Sequence, residues 1–173
     1  MRRFGMLALG ITLLAACSFN LTVPLPEQRV QVPLADSQGR VVYPAQTLSF
    51  PPPGGVVRRA EVRGTLEADQ ALNATLALYV RLQDPEEDPS CLALRDPNGT
   101  SLGYACPVGP GDEKVGEARF AASKTAPLGL RGEQLTQGVQ RGKLWLGLQV
   151  QGLPSGLVEL RFKDLKAILT LGL

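Results

Sequence analysis

The chain has 173 residues, with 18 basic and 16 acidic side chains, 19 glycines, 14 prolines, three cysteines and no histidine. This length is typical of one domain, and 44% apolar residues are enough to bury a core. Without histidine the chain has no Ser-His or Cys-His nucleophile and no imidazole metal ligand, and three cysteines are too few for a disulfide-rich miniprotein. The near balance of charge argues against a nucleic-acid partner.

The first 16 residues have the pattern of a signal peptide. Arg2 and Arg3 precede an apolar run from Phe4 to Leu14, which is shorter than the roughly 20 residues of a membrane-spanning helix. The run ends in Leu14-Ala15-Ala16-Cys17. This tetrapeptide resembles the lipobox of bacterial lipoproteins, and the resemblance covers residues 1–17 only.

The resemblance implies a lipid anchor. In that family the cysteine thiol receives a diacylglycerol, a peptidase cuts before the cysteine, and the new amine is often acylated, so Cys17 would carry chains such as palmitate and hold the protein on a membrane. Two or more acyl chains anchor firmly, because each buried methylene contributes about 0.8 kcal/mol. Cleavage would remove Arg2 and Arg3 and leave a formally neutral chain. The alternatives are an uncleaved N-terminus with a buried Cys17, or an ordinary secretory signal.

The residue after the cysteine bears on location. In enteric bacteria, aspartate at this position resembles a retention signal of the inner membrane, and this chain has Ser18 there. The expected location is therefore the bacterial cell envelope, at the outer membrane and facing the periplasm or the cell surface.

Residues 17–55 are predicted to form a proline-rich arm. Half of the prolines lie there, and because proline lacks an N–H donor and fixes φ, the pattern predicts neither a helix nor a central strand. Val30–Val32 and Val41–Tyr43 flank a turn signal at Asp36–Gly39, which predicts an edge hairpin. The apolar residues of the arm are expected to dock it in part on the body.

Residues 56–173 are predicted to form an antiparallel β-sandwich. Apolar side chains alternate with polar ones along four segments, which predicts strands with one face in the core and one facing solvent or a partner. The segments are Ala60–Leu66, Leu72–Leu82, Leu144–Val150 and Val158–Phe162. Turn clusters separate the strands at Asp84–Pro89, Asp96–Gly99, Pro107–Gly111 and Pro154–Gly156.

Two places in this domain interrupt the alternation. The apolar phase slips at Asp164, which predicts a bulge or a corner, with a single helical turn over Asp164–Ile168 as the alternative. A helix near Leu128–Gln140 is conceivable, but Gly129, Gly132 and Gly138 argue against it.

Cys91 and Cys106 are the two cysteines that remain if Cys17 carries lipid. They are 15 residues apart, and a disulfide that closes a loop of this size contributes about 3 kcal/mol in the chain-entropy model. An exported compartment is oxidising enough to form it. A redox pair is the alternative, although such pairs usually have a CxxC spacing. The spacing therefore favours a structural disulfide.

Two sets of side chains are candidates for ligand binding. An acidic set could supply oxygen ligands to calcium, although most acidic loops are only solvated; its members are Asp84, Glu86, Glu87, Asp88, Asp96 and Asn98. Trp145 and Tyr79 lie at outward positions of alternating strands and could form an aromatic platform for a sugar or a partner. The alternative for Trp145 is a strand buried on both faces, or a cover provided by the arm.

No complete catalytic motif is present. The sequence lacks SxxK, P-loop and HExxH patterns, and Gly99–Gly103 matches GxSxG in a chain that has no histidine to act as the base. We predict no enzymatic activity and no cofactor other than the calcium considered above. The predicted function is a lipid-anchored envelope protein that binds or scaffolds another envelope component, such as a protein. The alternatives are a glycan- or calcium-binding module, and a small hydrolase that uses a pair of carboxylates.

Overall fold

The computed structural model describes residues 18–25, 27–34, 38–54, 56–151 and 156–172. These residues are mainly β, as the sequence predicts, and all the strand pairs among them are antiparallel. The strands are β1 Phe19–Pro24, β2 Gln28–Leu34, β3 Arg40–Pro44, β4 Leu48–Ser49, β5 Val56–Arg81, β6 Leu92–Arg95, β7 Ser101–Pro107, β8 Asp112–Arg131, β9 Lys143–Gln151 and β10 Gly156–Gly172. A 3-10 helix covers Pro85–Glu87, and an α-helix, α1, covers Glu133–Arg141.

The 26-residue strand β5 organises the sheet. One edge of β5 pairs with β8, whereas the other edge pairs first with β10, over Val56–Ala68, and then with β9, over Thr75–Arg81. The strand order is β1-β10-β5-β9-β3-β7-β6, with β2 also on β10 and β4 also on β9. We call β1, β2, β10 and the parts of β5 and β8 beside them the first half-sheet, and the remaining strands the second half-sheet.

The two half-sheets fold towards each other. The β5–β8 register shifts between Glu67 and Leu72, and Ala122 in β8 has a φ of +50°. Beyond this corner β8 doubles back, so that a Cβ atom on Gly116 would lie 2.5 Å from the carbonyl oxygen of Gly129. One apolar cluster joins Leu160 of the first half-sheet to residues such as Leu148 of the second. The result is a sandwich-like arrangement in which strands pass from one sheet to the other through corners.

The phase slip at Asp164 is a β-bulge. Asp164 has a φ of +52°, and the pairing of β10 with β5 shifts between Lys163 and Lys166. Phe162 and Leu165, on either side of the extra residue, are both buried. The predicted bulge is therefore confirmed, and the strand continues where the alternative placed a helical turn.

The predicted hairpin in the arm is wrong. β2 pairs with β10, and β3 pairs with β7 and β9, so the two segments join different half-sheets. In the predicted turn between them, residues 35–37 lie outside the described residues. The prediction that the arm contains no central strand is also wrong, because β3 pairs with another strand on each side. The only proline of β3, Pro44, is its last residue, so its missing N–H does not interrupt the hydrogen bonds of the strand.

The argument against a helix near Leu128–Gln140 is also wrong, because α1 forms over Glu133–Arg141 and two of the three glycines, Gly132 and Gly138, have structural roles there. Gly132 is the N-cap of α1, and Gly138 is buried against β9, where a Cβ atom would lie 2.8 Å from the Cβ of Leu144. Gly129 belongs to β8. The side chain of Glu113 accepts hydrogen bonds from the first backbone N–H groups of the helix. Gly138 therefore allows a close contact between α1 and β9, which an argument from helix propensity alone does not reveal.

Candidate functional site

The chain enters the sheet at the start of β1. Cys17 and the predicted signal peptide lie outside the described residues, and β1 begins at Phe19, opposite Leu171 of β10. Phe19 is two residues after Cys17, and two residues of extended chain span about 7 Å. A lipid on Cys17 would therefore hold the folded body without an intervening linker. Within the described ranges, no helix is long and apolar enough to cross a membrane.

The predicted disulfide is present between Cys91 and Cys106. Cys91 immediately precedes β6, and Cys106 lies in β7, opposite Val41 of the arm. The Cys106 side chain is fully buried. The bond closes the β6–β7 hairpin at its base and fixes it beside the arm.

A buried polar cluster surrounds this disulfide. We define the Arg81 cluster as Arg81, Asp112, Asp88 and Tyr43. The Arg81 side chain is only 5% exposed, and it donates to Asp112 through Nε (2.7 Å) and Nη2 (2.9 Å) and to Asp88 through Nη1 (2.8 Å). Nη1 also lies 3.3 Å from the Sγ of Cys91, and the guanidinium carbon lies 5.3 Å from the centre of the Tyr43 ring.

Asp112 is the central acceptor of the cluster. Its side chain has no solvent exposure, and it also accepts from the Tyr43 hydroxyl (2.6 Å) and the Gly109 N–H (2.7 Å). Burial alone would raise the pKa of Asp112, but the hydrogen bonds from Arg81, Tyr43 and Gly109 outweigh it and lower that pKa. Burial, followed by the hydrogen bond to Asp112, raises the pKa of Tyr43, so the phenol stays neutral.

The hydrogen bonds of the Arg81 cluster indicate a structural role. Asp112 accepts four of them, two from Arg81, one from Tyr43 and one from Gly109, and its carboxylate is closed to solvent. A general base has to reach the proton that it removes. The cluster instead ties the end of β5 to β3, to the start of β8 and to the disulfide-closed hairpin.

The proposed calcium residues do not converge on one site. Asp84 accepts from the N–H of Glu86 and begins the 3-10 helix, and Asp88 accepts from the N–H and hydroxyl of Ser90 as well as from Arg81. Asp96 accepts from the N–H groups of Asn98 and Thr100 in the β6–β7 turn. The hydroxyl of Ser90, followed by its N–H, lowers the pKa of Asp88.

These carboxylates therefore act as turn and helix caps. Among the described residues, no group of three or more His, Cys, Asp or Glu side chains is arranged to hold a metal ion. Calcium binding stays a prediction that a melting curve with calcium and then with a chelator can test.

The interpretation of Trp145 as an exposed platform is wrong. Trp145 is 4% exposed and packs in a cluster with Val41, Tyr43 and Cys106. The Lys143 ammonium lies 4.6 Å from the centre of its ring. Tyr79 is half-buried, and its hydroxyl donates to the Oε1 of Gln149 at 3.3 Å, while Gln149 donates to the Gly39 carbonyl. Residues of the arm and of β7 cover the ring, and β9 is buried on both faces, so both alternatives that the sequence left open for Trp145 are confirmed.

The fluorescence of Trp145 provides a direct check, since it is the only tryptophan. We expect a blue-shifted emission that iodide quenches weakly, because the ring is buried. Urea-unfolded protein is the control and should show red-shifted, readily quenched emission. Native emission at the unfolded wavelength would contradict the burial described here.

Gly147 makes room for this packing. A Cβ atom on Gly147 would lie 2.5 Å from ring carbon Cε1 of Tyr43 and 2.5 Å from Cγ1 of Val41. Overpacking of a well-packed core costs about 1–3 kcal/mol. We therefore expect Gly147→Ala to lower the free energy of unfolding by that amount in urea titrations. Gly129→Ala is the matched control, because the space beside Gly129 is open, and an equal loss in both variants would contradict the prediction.

Acid should weaken the cluster. The folded state lowers the pKa of Asp112, so its stabilising effect is complete above the ordinary carboxyl pKa, about 3.9, and is lost as the pH falls through the folded pKa. We expect the melting temperature to fall below about pH 4, and to fall less steeply in Asp112→Asn. Circular dichroism melts between pH 2 and 7 measure both curves. If the melting temperatures of the wild type and of Asp112→Asn fall in parallel with pH, Asp112 does not contribute to the loss of stability in acid.

The comparisons with known proteins do not reveal a family. No family model and no curated protein matches the chain. One solved structure similar to it is a variant of the iron and alpha-ketoglutarate-dependent endoperoxidase NvfI (TM-score 0.30, 11% identity, covering 88% of this chain and 63% of that chain). Another is that of infectious bursal disease virus Gx strain (TM-score 0.20, 10% identity, 98% and 46%). The chain thus spans less than two thirds of either structure.

The sequence interpretation missed the Arg81 cluster. Arg81 follows Tyr79 at an outward position of an alternating strand, so the pattern places it on the solvent or partner face. Its burial depends on Tyr43 from the arm and on Asp112, which is 31 residues further along the chain. The sequence signals this cluster only by a basic residue, Arg81, between two apolar ones and by an aspartate, Asp112, six residues after Cys106.

Proposed function

We propose that this protein is a lipid-anchored component of the bacterial cell envelope, and that it binds or scaffolds another envelope component without catalysing a reaction. The observation that carries the proposal is the start of β1 two residues after Cys17, next to the strand that ends the described chain. A lipid at Cys17 would keep the sandwich-like body at the membrane surface. The lipobox at Leu14–Cys17 supports the anchor from the sequence side.

The β6–β7 hairpin is the surface that we assign to the partner. Leu92 and Leu102 are 56% and 42% exposed, and β6 stands at the end of the strand order. The disulfide and the Arg81 cluster hold the hairpin in place from behind. A rigid hairpin with exposed apolar side chains is suited to contact another protein in the envelope.

Metabolic labelling tests the anchor. Cells that express the full chain should incorporate labelled palmitate into it, and mass spectrometry should show a mature chain that begins at Cys17 and carries acyl groups. Cys17→Ser should lose the label, whereas Ser18→Ala should keep it. A chain without lipid, or one that retains residues 1–16, would refute the anchor.

Site-specific photo-crosslinking in intact cells tests the binding role. A photoreactive side chain in place of Leu92 should give a discrete crosslinked product. The same group in place of Asn73, an exposed residue on β5, is the matched control and should give none. Equal products from both positions, or none from either, would count against a binding surface on the hairpin.

A further inference from the structure

A groove runs over the outward face of the second half-sheet, between β8 and β9. Its volume is about 580 Å³, which lies in the range of about 300–1,000 Å³ that is typical of ligand sites. Thr75 and Ala77 of β5 face outward into the groove, because they alternate with the buried Leu76 and Leu78. The strand register places Arg119 of β8 opposite Thr75, so this arginine lines the same groove.

Polar side chains stand on both sides of Ala77. On the β8 side, Glu117 lies opposite Ala77, and its carboxylate pairs with the ammonium group of Lys114. On the β9 side, Gln149 lies opposite Ala77 and accepts a hydrogen bond from the Tyr79 hydroxyl. Gln149 is thereby fixed before a ligand arrives, and a fixed side chain lowers the entropic cost of binding.

Arg119 supplies a positive charge that no carboxylate of the groove neutralises directly. It is exposed, and its side chain makes no hydrogen bond to another residue of the described ranges. The Glu117 carboxylate, two residues away, is bound by Lys114 instead. An arginine guanidinium binds a carboxylate through two parallel hydrogen bonds, so Arg119 is a matched partner for a carboxylate on a ligand.

The backbone around the groove favours a glycan over a peptide. Between Thr75 and Tyr79, β5 pairs with β8 on one edge and with β9 on the other, so its N–H and C=O groups are already used. A peptide therefore cannot be added to β5 as a further strand, which is how main-chain hydrogen bonds hold an extended peptide. The occupant has to be bound by side chains, and hydroxyl, amide and charged groups line this groove, whereas most ligand sites are mainly apolar. A sugar chain, whose surface is rich in hydroxyl groups, matches this lining.

We propose that this groove binds a carboxylate-bearing glycan, in which Arg119 binds the carboxylate and Thr75 and Gln149 contact the sugar hydroxyls. The inference goes beyond the proposed function, because it adds a ligand on a different surface and does not require the lipid anchor. In the strand order, β5 and β6 are four strands apart, or roughly 19 Å at the usual spacing of strands. The protein can therefore hold a glycan in the groove while the β6–β7 hairpin contacts a protein.

Calorimetric titration of the purified full chain, in non-ionic detergent, tests the site. Two probes carry carboxylates on different sugars: a hexamer of galacturonic acid, and short peptidoglycan strands freed of their peptides by an amidase. The methyl ester of each probe is the matched control ligand, because it keeps the ring hydroxyls and loses the charge. We expect at least one acidic probe to bind, and its ester to bind about tenfold more weakly or not at all.

Three variants locate the binding. Arg119→Gln removes the charge and should weaken the binding of the acidic probe by about tenfold or more. Arg59→Gln removes an exposed arginine on the first half-sheet and should leave the affinity unchanged. Ala77→Leu narrows the groove without a change of charge and should also weaken binding. Circular dichroism melts verify that each variant is folded.

Binding of only one acidic probe identifies the kind of acidic sugar that the groove takes. If neither probe binds, or if the esters bind as tightly as the acids, the proposal of a carboxylate-bearing glycan is overturned. Equal affinities of Arg119→Gln and Arg59→Gln would show that binding occurs elsewhere on the chain and would overturn the site, as would an unchanged affinity of Ala77→Leu. Cys17→Ser, which cannot carry the lipid, should bind the probe as the wild type does, so a failure of the anchor does not count against the groove.

Discussion

Asp112→Ala is expected to lower the free energy of unfolding by about 3–5 kcal/mol, because it leaves the buried Arg81 guanidinium without its main partner. Asp112 accepts from both Nε and Nη2 of Arg81 and also from the Tyr43 hydroxyl, so the substitution leaves several buried donors unpaired. Denaturant titration of the disulfide-intact protein measures the loss.

Two further variants separate this effect from a general loss of charge. Glu117→Ala removes an exposed carboxylate that pairs with Lys114, and we expect little change from it. Arg81→Leu combined with Asp112→Leu removes the pair together, and the double variant should be more stable than Asp112→Ala. If the double variant is instead the less stable of the two, the attraction between Arg81 and Asp112 exceeds the free-energy cost of removing both charges from water. This account of the cluster would then be wrong.

The second large effect concerns the disulfide. Replacing both Cys91 and Cys106 with alanine should lower the free energy of unfolding by about 3 kcal/mol, since the bond closes a loop of 15 residues that would otherwise gain entropy in the unfolded chain. The loss of the bond also releases the hairpin whose sulfur atoms contact Arg81. Denaturant titration measures the change.

Reductant provides the internal control for this prediction. Dithiothreitol should bring the wild-type unfolding midpoint close to that of the double variant, and it should leave the double variant unchanged. An unfolding midpoint that is the same in the oxidised wild type and the double variant would show that the bond adds nothing to stability.

The strands of the body were predictable because their signal is local. Apolar and polar residues alternate along Ala60–Leu66 and Val158–Phe162, and a strand places alternate side chains on opposite faces wherever it pairs. The bulge at Asp164 was predictable for the same reason, as one inserted residue reverses the faces of all that follow. In both cases neighbouring positions alone carry the information.

The pairing partners and the site could not be predicted in this way. Val30–Val32 and Val41–Tyr43 were assigned to each other because they are close in sequence. Val30–Val32 instead pairs with β10, more than 100 residues away, and Val41–Tyr43 pairs with β7 and β9, about 60 and 100 residues away. Arg81 and Trp145 were placed outward by alternation, and the arm then covered that face. Gly138 was interpreted by its propensity, because the side chain that needs the space, Leu144, lies on another element.

The insertion of β3 between β9 and β7 constrains the order in which the chain can fold. β3 and its neighbour β9 are about 100 residues apart in the chain, and the disulfide-closed hairpin docks on the body through β3. The apolar side chains of β3 therefore stay uncovered until both of these distant strands have paired with it. Pairing between strands so far apart in sequence slows folding.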